Sequence, residues 1–341
     1  MLYLDNSATT RVHDEVFQAM IPYLREEYGN PSSKYYTLAE NAKKAVQESR
    51  EKVASLIGCE ADEVIFTSGA TESNNMIIKG VAHYYRNNGN HIVTSKVEHP
   101  SVLETCKFLE QIGYKVTYLN VDQYGRIMVE ELESVIENDP PILVSVIWGN
   151  NELGSLNDIV KISEICEKKN ILFHTDATQV VGKVKFKLSE IPGIRFLSFS
   201  GHKIHGPKGI GVAIIKKDKN GIRTKITPIL HGGGQEFEYR SGTLAVHNIV
   251  GLGKAAEIAD RDLDRNIKKL KILEERCKDL LISKFGDQIV FNNDNKDKIP
   301  GLLNFVLKGV NNQRFIIKHS ELIALSTGSA CSSTKPSHVL Q

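Results

Sequence analysis

Short apolar runs alternate with helix-like segments over residues 38–215, and this alternation limits the possible folds of the chain more than any other feature. Strand-like runs begin near residues 64, 91, 115, 142, 171, 195 and 211. Strands that alternate with helices indicate a mainly parallel sheet. The sequence therefore predicts an α/β fold in which helices cover both faces of the sheet.

The pattern changes after Gly242. Residues 245–285 resemble one long charged helix, and strand-like segments follow at 288–291 and 301–307. These features predict a smaller α+β domain at the end of the chain. The expected boundaries are residues 15–245 for the large domain, and residues 1–14 together with 246–341 for the small one.

Composition excludes several classes of protein. A formal net charge of +2 argues against a dedicated nucleic-acid surface. The N-terminal sequence lacks the basic start and apolar run of a signal peptide, and no stretch approaches the roughly 18 apolar residues of a membrane span. The five cysteines are scattered without a CxxC pair, which favours reduced thiols over zinc ligands or disulfides. We expect a cytoplasmic protein with no metal site.

Three helix boundaries are predicted from local signals. Residues 37–40 (TLAE) resemble a capping box, which opens a helix that Gly58 closes. Pro100 occupies a position typical of the first helical residue.

Lys203 lies in the segment 200–209 (SGHKIHGPKG), directly after an apolar run. A buried strand would therefore carry this lysine to a glycine-rich turn. Desolvation lowers the pKa of an amine and makes it available as a nucleophile for a Schiff base. A lone lysine in such a loop would prove little, so the interpretation depends on the other segments.

Asp176, in the segment 173–179 (FHTDATQ), is placed at the carboxyl end of a predicted strand, where open α/β sheets bind ligands. A carboxylate there can keep a pyridine nitrogen protonated and so maintain the electron-withdrawing character of a cofactor ring. Asp176 and Lys203 are separated by one strand–connection unit, so adjacent strand ends would aim both at one ligand. By itself, an aspartate at this position is more often a helix cap.

Three further strand ends carry complementary groups. Residues 68–75 (SGATESNN) open a helix, where free N–H groups and the helix dipole favour an anion such as a phosphate, although the Walker pattern is absent. His99 precedes another helix, where an imidazole can stack on an aromatic cofactor and exchange protons. Asn151 follows a third buried strand. Together these groups predict a pyridoxal phosphate (PLP) site.

Cys331 lies among small residues in the segment 326–333 (STGSACSS), which suggests an accessible loop poorly suited to packing. A mobile thiol beside a cofactor site can act as a nucleophile. Without further information, an incidental cysteine in a serine-rich loop would be the favoured interpretation.

As an ordered set, these segments resemble the cysteine desulfurases (the NifS/IscS-like group) of the class V aminotransferase superfamily. The resemblance runs along nearly the whole chain and implies the PLP-dependent transferase fold. Besides the segments above, it includes residues 3–10, 29–33, 67–75, 98–100, 150–154, 232–236 and 240–243.

The resemblance implies a role for each candidate residue. Lys203 would form the internal aldimine with PLP, and His99 would stack on the ring and relay protons. Asp176 would pair with the pyridine nitrogen, Gln179 with the phenolic oxygen, and Asn151 would lie near the ring and the substrate carboxylate. The phosphate would be held by Ala70, Thr71, Ser200 and His202, and by Thr243 of a neighbouring subunit, which implies a homodimer.

The implied reaction converts L-cysteine to L-alanine. The Cys331 thiolate would attack the substrate sulfur and keep it as a persulfide. A sulfur-acceptor protein would then receive it, for iron–sulfur cluster assembly or for thiolation of tRNA, a cofactor or DNA. The form of the cysteine loop resembles the long-loop subgroup, whose loop reaches partners directly.

The sequence departs from the family pattern in two places. Residues 34–38 (KYYTL) replace the usual histidine and glycine near the entrance of the site. The family also continues with a segment carrying an arginine that clamps the substrate carboxylate, whereas this sequence stops at Gln341. We favour an incomplete sequence; the alternatives are that Arg11, Arg240 or another group substitutes, or that activity is lost.

Two other functions remain open at this point. A selenocysteine lyase or another class V PLP lyase is close in chemistry, but Cys331 argues against it, because such a reaction can release product without a protein persulfide. A PLP-holding scaffold for a sulfur-acceptor protein is supported only by the missing clamp, and such a scaffold would need neither Lys203 nor Cys331.

Overall fold

The structure, a computed structural model, describes residues 1–218, 220–327, 337, 339 and 340. A seven-stranded sheet forms its centre. Its strands are β2 (Val64–Thr67), β3 (His91–Ser95), β4 (Lys115–Leu119), β5 (Leu143–Ile147), β6 (Leu172–Asp176), β7 (Phe196–Ser200) and β8 (Gly211–Ile215). All seven predicted strands are therefore confirmed.

The strands lie in the order β2-β8-β7-β6-β5-β3-β4. Strand β8 runs antiparallel to both of its neighbours, and the pairs from β7 through to β4 are all parallel. The reversal of β8 follows from the short link after β7, because a parallel connection needs a crossover of a dozen or more residues. The predicted mainly parallel α/β sheet is confirmed.

Helices cover both faces of the sheet, as predicted. The helices are α1 (Asp14–Met20), α2 (Pro22–Arg25), α3 (Thr37–Ile57), α4 (Ala70–Tyr84), α5 (Pro100–Gln111), α6 (Val129–Asn138), α7 (Ile159–Lys168), α8 (Val246–Phe285) and α9 (Asn312–Lys318). Residues of α4 and α5 join one buried apolar cluster, and residues of α3, α6, α7 and α8 join another. None of the helices in the part of the chain described is long and apolar enough to cross a membrane.

The three predicted helix boundaries have different outcomes. Gly58 closes α3 with a left-handed φ of 76°, and Pro100 is the first residue of α5, so these predictions are confirmed. The predicted capping box at residues 37–40 is wrong. The N-cap is Tyr36, whose side chain makes no capping hydrogen bond, and Thr37 is already helical.

The C-terminal part of the chain contacts both the large sheet domain and the N-terminus. Residues 246–258 of α8 supply buried side chains to the large core and pack against α3, where Gly253 is needed because a Cβ would lie 2.6 Å from that of Ser49. After α8 come β9 (Ile289–Phe291), β10 (Phe305–Leu307) and β11 (Ile323–Ala324). The N-terminal strand β1 (Leu2–Tyr3) pairs with β11 in parallel. This pairing supports the division into two domains, which remains our proposal.

Candidate active site

The carboxyl ends of β2, β3, β5, β6 and β7 lie at one edge of the sheet, since these strands run in the same direction. Each is followed by one of the polar segments singled out in the sequence. Because β6 and β7 are hydrogen-bonded neighbours, Asp176 and the turn that carries Lys203 follow from adjacent strand ends. The structure therefore brings these polar segments to one edge of the sheet.

Lys203 ends a single 3-10 turn, Gly201–Lys203, directly after β7. Its ammonium donates hydrogen bonds to the backbone carbonyls of Ser7 and Ala8, the latter at 2.7 Å. Thr10 fixes the same N-terminal segment, because its N–H and its hydroxyl both donate to the His202 carbonyl, at 2.9 and 2.8 Å. The N-terminal residues thus form one wall around the lysine amine.

His202 is half-buried and forms a hydrogen bond through Nδ1 with the Thr9 hydroxyl, at 3.0 Å. Burial and, to a smaller extent, the nearby positive charge of Lys203 together lower the pKa of His202 to about 4. The imidazole is therefore neutral at pH 7, so it can act as a hydrogen-bond donor or acceptor but adds no positive charge to the site.

Asp176 is the last residue of β6 and is only 3% exposed. Its Oδ2 accepts a hydrogen bond from Asn74 Nδ2 at 2.8 Å, and its Oδ1 accepts one from the Thr178 N–H at 3.0 Å. N–H donors on both oxygens suit a carboxylate, and they fix its orientation.

Gln179 lies beside Lys203, because both side chains donate to the Ser7 carbonyl. Its Nε2 donates to the Ser7 carbonyl at 2.9 Å, and its Oε1 accepts from Lys183 Nζ at 2.8 Å. Burial lowers the pKa of Lys183 to about 7, with a smaller contribution in the same direction from the charge of Lys203. The two lysines and Gln179 therefore share one electrostatic environment.

His99 is the N-cap of α5. Its Nδ1 accepts from the Ser101 N–H at 3.1 Å and lies 2.8 Å from the Ser101 hydroxyl oxygen. A backbone N–H can only donate, so Nδ1 is an acceptor and neutral His99 carries its proton on Nε2.

Glu98 is 1% exposed and joins two strand ends. Its Oε1 accepts hydrogen bonds from the Ser95 hydroxyl at 2.6 Å and from the Ile147 N–H at 2.9 Å. Burial raises the pKa of Glu98 to about 8, and the charge of Asp176 acts in the same direction. The folded protein therefore holds Glu98 as the neutral acid at pH 7, where it ties the loop before His99 to the end of β5.

Glu98→Gln is expected to change how stability depends on pH. The pKa of Glu98 is 4.5 in the unfolded chain and about 8 in the fold, so the native state binds this proton more tightly. Its contribution to stability is complete below pH 4.5 and is lost as pH rises towards 8, by on the order of a few kcal/mol. Urea denaturation at pH 5 and pH 8 should show that the variant loses less stability than the parent. Equal losses would mean that Glu98 is ionised in the fold.

The predicted phosphate-binding segment forms the N-terminus of α4. Ala70 and Thr71 are its first two residues. A Cβ on Gly69 would lie 3.7 Å from Ser200 Oγ, which places that hydroxyl beside the segment. Glu72 accepts from the Ser68 N–H at 2.8 Å and pairs with Arg240 at 2.8 Å, so this ion pair holds the turn in place.

These residues fit a PLP molecule. An amine, a carboxylate held by two donors, an imidazole and a helix N-terminus with small residues lie along one sheet edge. These are the groups needed for an aldehyde, a pyridine nitrogen, an aromatic ring and a phosphate. In addition, Thr178 Oγ1 is buried and has no hydrogen-bond partner among the residues described.

In the part of the chain that the structure describes, the other predicted residues are not linked to this group of site side chains. Thr243 is exposed on this subunit, and Asn151 is half-buried in the turn after β5. Of the two arginines considered for the carboxylate clamp, Arg11 is exposed and pairs with Asp14, while Arg240 is engaged by Glu72. Cys331 lies outside the described residues.

Sequence reasoning missed the side chains that hold these groups in place. Asn74 and Glu98 lie inside segments that were singled out and Ser101 directly follows one, but the sequence offered no reason to assign them roles. His174 and Ser198, inside β6 and β7, also carried no signal beyond being polar residues within apolar strands. Polar residues at positions where a buried strand should be apolar are the one indication that could have identified them.

Comparison with known proteins is consistent with this geometry. The family model for class V aminotransferases matches residues 2–341. The cysteine desulfurase IscS of Dictyoglomus turgidum is 43% identical over 343 residues, which cover 99% of this chain and 84% of that protein. A solved NifS-like protein is similar with a TM-score of 0.90 and 37% identity, over 99% of this chain and 88% of its own. The structure of SspA in complex with cysteine is similar with a TM-score of 0.84 and 33% identity, over 100% and 93%.

Proposed function

Because this chain belongs to the class V aminotransferase family and is an enzyme of its cysteine desulfurase group that uses PLP, we propose that it converts L-cysteine to L-alanine and transfers the sulfur to Cys331. One observation carries this proposal. The buried Asp176 carboxylate, held by Asn74 and Thr178, lies at a strand end adjacent to the one that presents Lys203.

Four side chains would bind the ring of PLP. Lys203 would hold it covalently, Asp176 would pair with its pyridine nitrogen, Gln179 with its phenolic oxygen, and His99 would stack on its face. PLP supplies an electron sink when bound. The wall formed by Ser7 and Ala8 orients the Lys203 amine, and burial around Asp176 excludes water from that carboxylate.

The phosphate would lie at the N-terminus of α4, held by Ala70 and Thr71, by the Ser200 hydroxyl and by His202. Free N–H groups and the helix dipole favour an anion at this position. Exposed Thr243 would complete the site of a second copy, so we propose a homodimer. Asn151 would lie near the ring and the substrate carboxylate.

Proton transfer would be carried out by Lys203 and His99. The amine would remove the proton from the substrate α-carbon, and the imidazole, which carries its proton on Nε2, would exchange protons with the substrate. The Cys331 thiolate would then attack the substrate sulfur. An S–S bond forms, the Cβ–S bond breaks with its electron pair returning to the substrate, and protonation at Cβ gives alanine.

The persulfide on Cys331 would pass to a sulfur-acceptor protein, for iron–sulfur cluster assembly or for thiolation of tRNA, a cofactor or DNA. We propose that the enzyme acts in the cytoplasm, with its thiols reduced. The four cysteines that the structure describes are all free, which agrees with a reducing compartment (Cys59, Cys106, Cys166 and Cys277).

The test of this function is turnover of L-cysteine by the purified, PLP-loaded chain. We expect alanine and, with a reductant present, sulfide in equal amounts. A protein that binds PLP but leaves cysteine unchanged would favour the scaffold interpretation. Turnover of L-selenocysteine that does not require Cys331, without turnover of L-cysteine, would favour a selenocysteine lyase or related class V lyase.

A further inference from the structure

A chain of buried hydrogen bonds joins Asp176 to His99 through a single amide, that of Asn74. Asn74 lies on α4 and is fully buried. Its Nδ2 donates to Asp176 Oδ2 at 2.8 Å and to the Ser101 hydroxyl oxygen at 2.9 Å. The same hydroxyl oxygen lies 2.8 Å from His99 Nδ1. One side chain therefore links the two groups that would contact the ring of PLP.

The orientation of the Asn74 amide is determined by its neighbours. Both hydrogens of its NH₂ group are used, by Asp176 and Ser101, so Oδ1 must be the acceptor for the Ser198 hydroxyl. The reversed amide would place Oδ1 against the Asp176 carboxylate, where two acceptors would repel each other. The direction of every donor in the chain follows from this orientation.

On the Ser198 side of the Asn74 amide, the order of donors and acceptors continues to His174. The Ser198 hydrogen is already donated, so Ser198 Oγ accepts from His174 Nε2 at 3.1 Å. His174 Nδ1 must then accept from the Ser145 hydroxyl, at 2.8 Å. Burial lowers the pKa of His174, and the charge of Asp176 opposes this only in part. This imidazole is therefore neutral, and its hydrogen bond to Ser198 fixes the hydroxyl that donates to Asn74 Oδ1.

On the Ser101 side of the Asn74 amide, the order of donors and acceptors continues to His99. The Ser101 hydroxyl oxygen accepts from Asn74, and its hydrogen points towards His99 Nδ1, because that nitrogen already acts as the acceptor for the Ser101 N–H. A proton on His99 Nδ1 would face the Ser101 N–H and would compete with the Asn74 amide for the hydroxyl oxygen. The amide thus reinforces the tautomer with the proton on Nε2.

We propose that Asn74 is a positioning residue that sets the Asp176 carboxylate and the His99 tautomer together. The proposal rests on the proposed function, because it assigns these two groups to PLP. Without Asn74, Asp176 Oδ2 loses its side-chain hydrogen-bond donor, and the pairing of this carboxylate with the pyridine nitrogen changes. The Ser101 oxygen also loses the Asn74 donor that would compete with a protonated His99 Nδ1.

The test compares the PLP-loaded wild-type chain with Asn74→Leu. Asn138→Leu is the control, because Asn138 is an exposed asparagine at the end of α6, a helix that carries none of the site residues, and its amide donates to Ser134. In Asn74→Leu, the pH midpoint of the visible absorbance of bound PLP should shift by about one unit. NMR of ¹⁵N-labelled histidine should show a several-fold larger fraction of His99 protonated on Nδ1. The value of kcat should fall about tenfold or more, with little change in KM, while the control keeps wild-type values.

Ser101→Ala separates the effect of Asn74 on the His99 tautomer from its effect on the absorbance of bound PLP. Combined with Asn74→Leu, it should abolish the change in the His99 tautomer, because only the backbone N–H then faces Nδ1, and it should leave the absorbance shift intact. If Asn74→Leu does not fold, Asn74→Ser replaces it, since one hydroxyl hydrogen cannot serve both Asp176 and Ser101, and one of the two signals must change.

Unchanged absorbance and tautomer in a PLP-loaded Asn74 variant would overturn the proposal. So would a tautomer change that persists when Ser101 is alanine. Failure of the wild-type chain to bind PLP would instead overturn the proposed function, so the two failures are distinguishable.

Discussion

Lys203→Ala is expected to abolish turnover of L-cysteine, with a loss on the order of 10⁴-fold or more. Alanine cannot hold PLP covalently and cannot accept a proton from the substrate α-carbon. The structure places this amine at the end of a 3-10 turn, against the carbonyls of Ser7 and Ala8. Sulfide and alanine production, together with the visible absorbance of the protein, are the measurements.

Lys203→Arg separates the chemical role of the Lys203 amine from its structural role. Arginine keeps a positive charge and can still donate to the Ser7 and Ala8 carbonyls, but its guanidinium does not form a Schiff base. This variant should therefore retain the stability of the parent and be as inactive as Lys203→Ala. Lys208→Ala, in the same loop but exposed, is the control and should keep activity within about twofold. Recovery of turnover in Lys203→Arg would show that the lysine is needed only for structure.

Cys331→Ser is expected to keep PLP and lose sulfur transfer. A serine hydroxyl is a far weaker nucleophile than a thiolate, so no persulfide should form. Incubation with ³⁵S-labelled L-cysteine, followed by gel separation without reductant, should label the parent chain and not the variant. The visible absorbance of bound PLP should be the same in both proteins.

The other cysteines provide the control for this experiment. Burial raises the pKa of Cys106 and of Cys166 to about 12 and also raises that of Cys59, so these thiols stay protonated near neutral pH. Of the cysteines that the structure describes, only Cys277 is exposed. Cys277→Ser should therefore leave labelling unchanged. Equal labelling of the Cys331→Ser chain would remove Cys331 from its proposed role.

Local sequence patterns were sufficient to predict the strands of the large sheet and the helices between them. Each strand of the large sheet is a short apolar run, and buried strands need no partner-specific signal to be recognised. The strand ends also predicted Asp176, His99 and Lys203 at one edge, because parallel strands end on the same side of a sheet. The capping box failed because sequence spacing does not decide which residue precedes the first helical one, and Tyr36 occupies that position without a side-chain bond.

The strand order depended on contacts that no local pattern contains. Strand β2 pairs with β8, almost 150 residues later, and not with the strand that follows it in the chain. Likewise, the N-terminal residues lie against Lys203, nearly 200 positions away. Such pairings result from burial of whole faces, which the sequence shows only as apolar residues.

By itself, the sequence determined the fold class, the sequence of strands and helices, and which side chains reach the carboxyl edge of the sheet, because periodicity and strand length are local properties. Only the tertiary structure decided how those side chains are held. Asn74 contacts Asp176 across 102 positions and Ser198 across 124, because packing of α4 on the sheet buries all three together. A buried polar group must find a partner within about 3 Å, and that partner is chosen by packing in space and not by spacing along the chain.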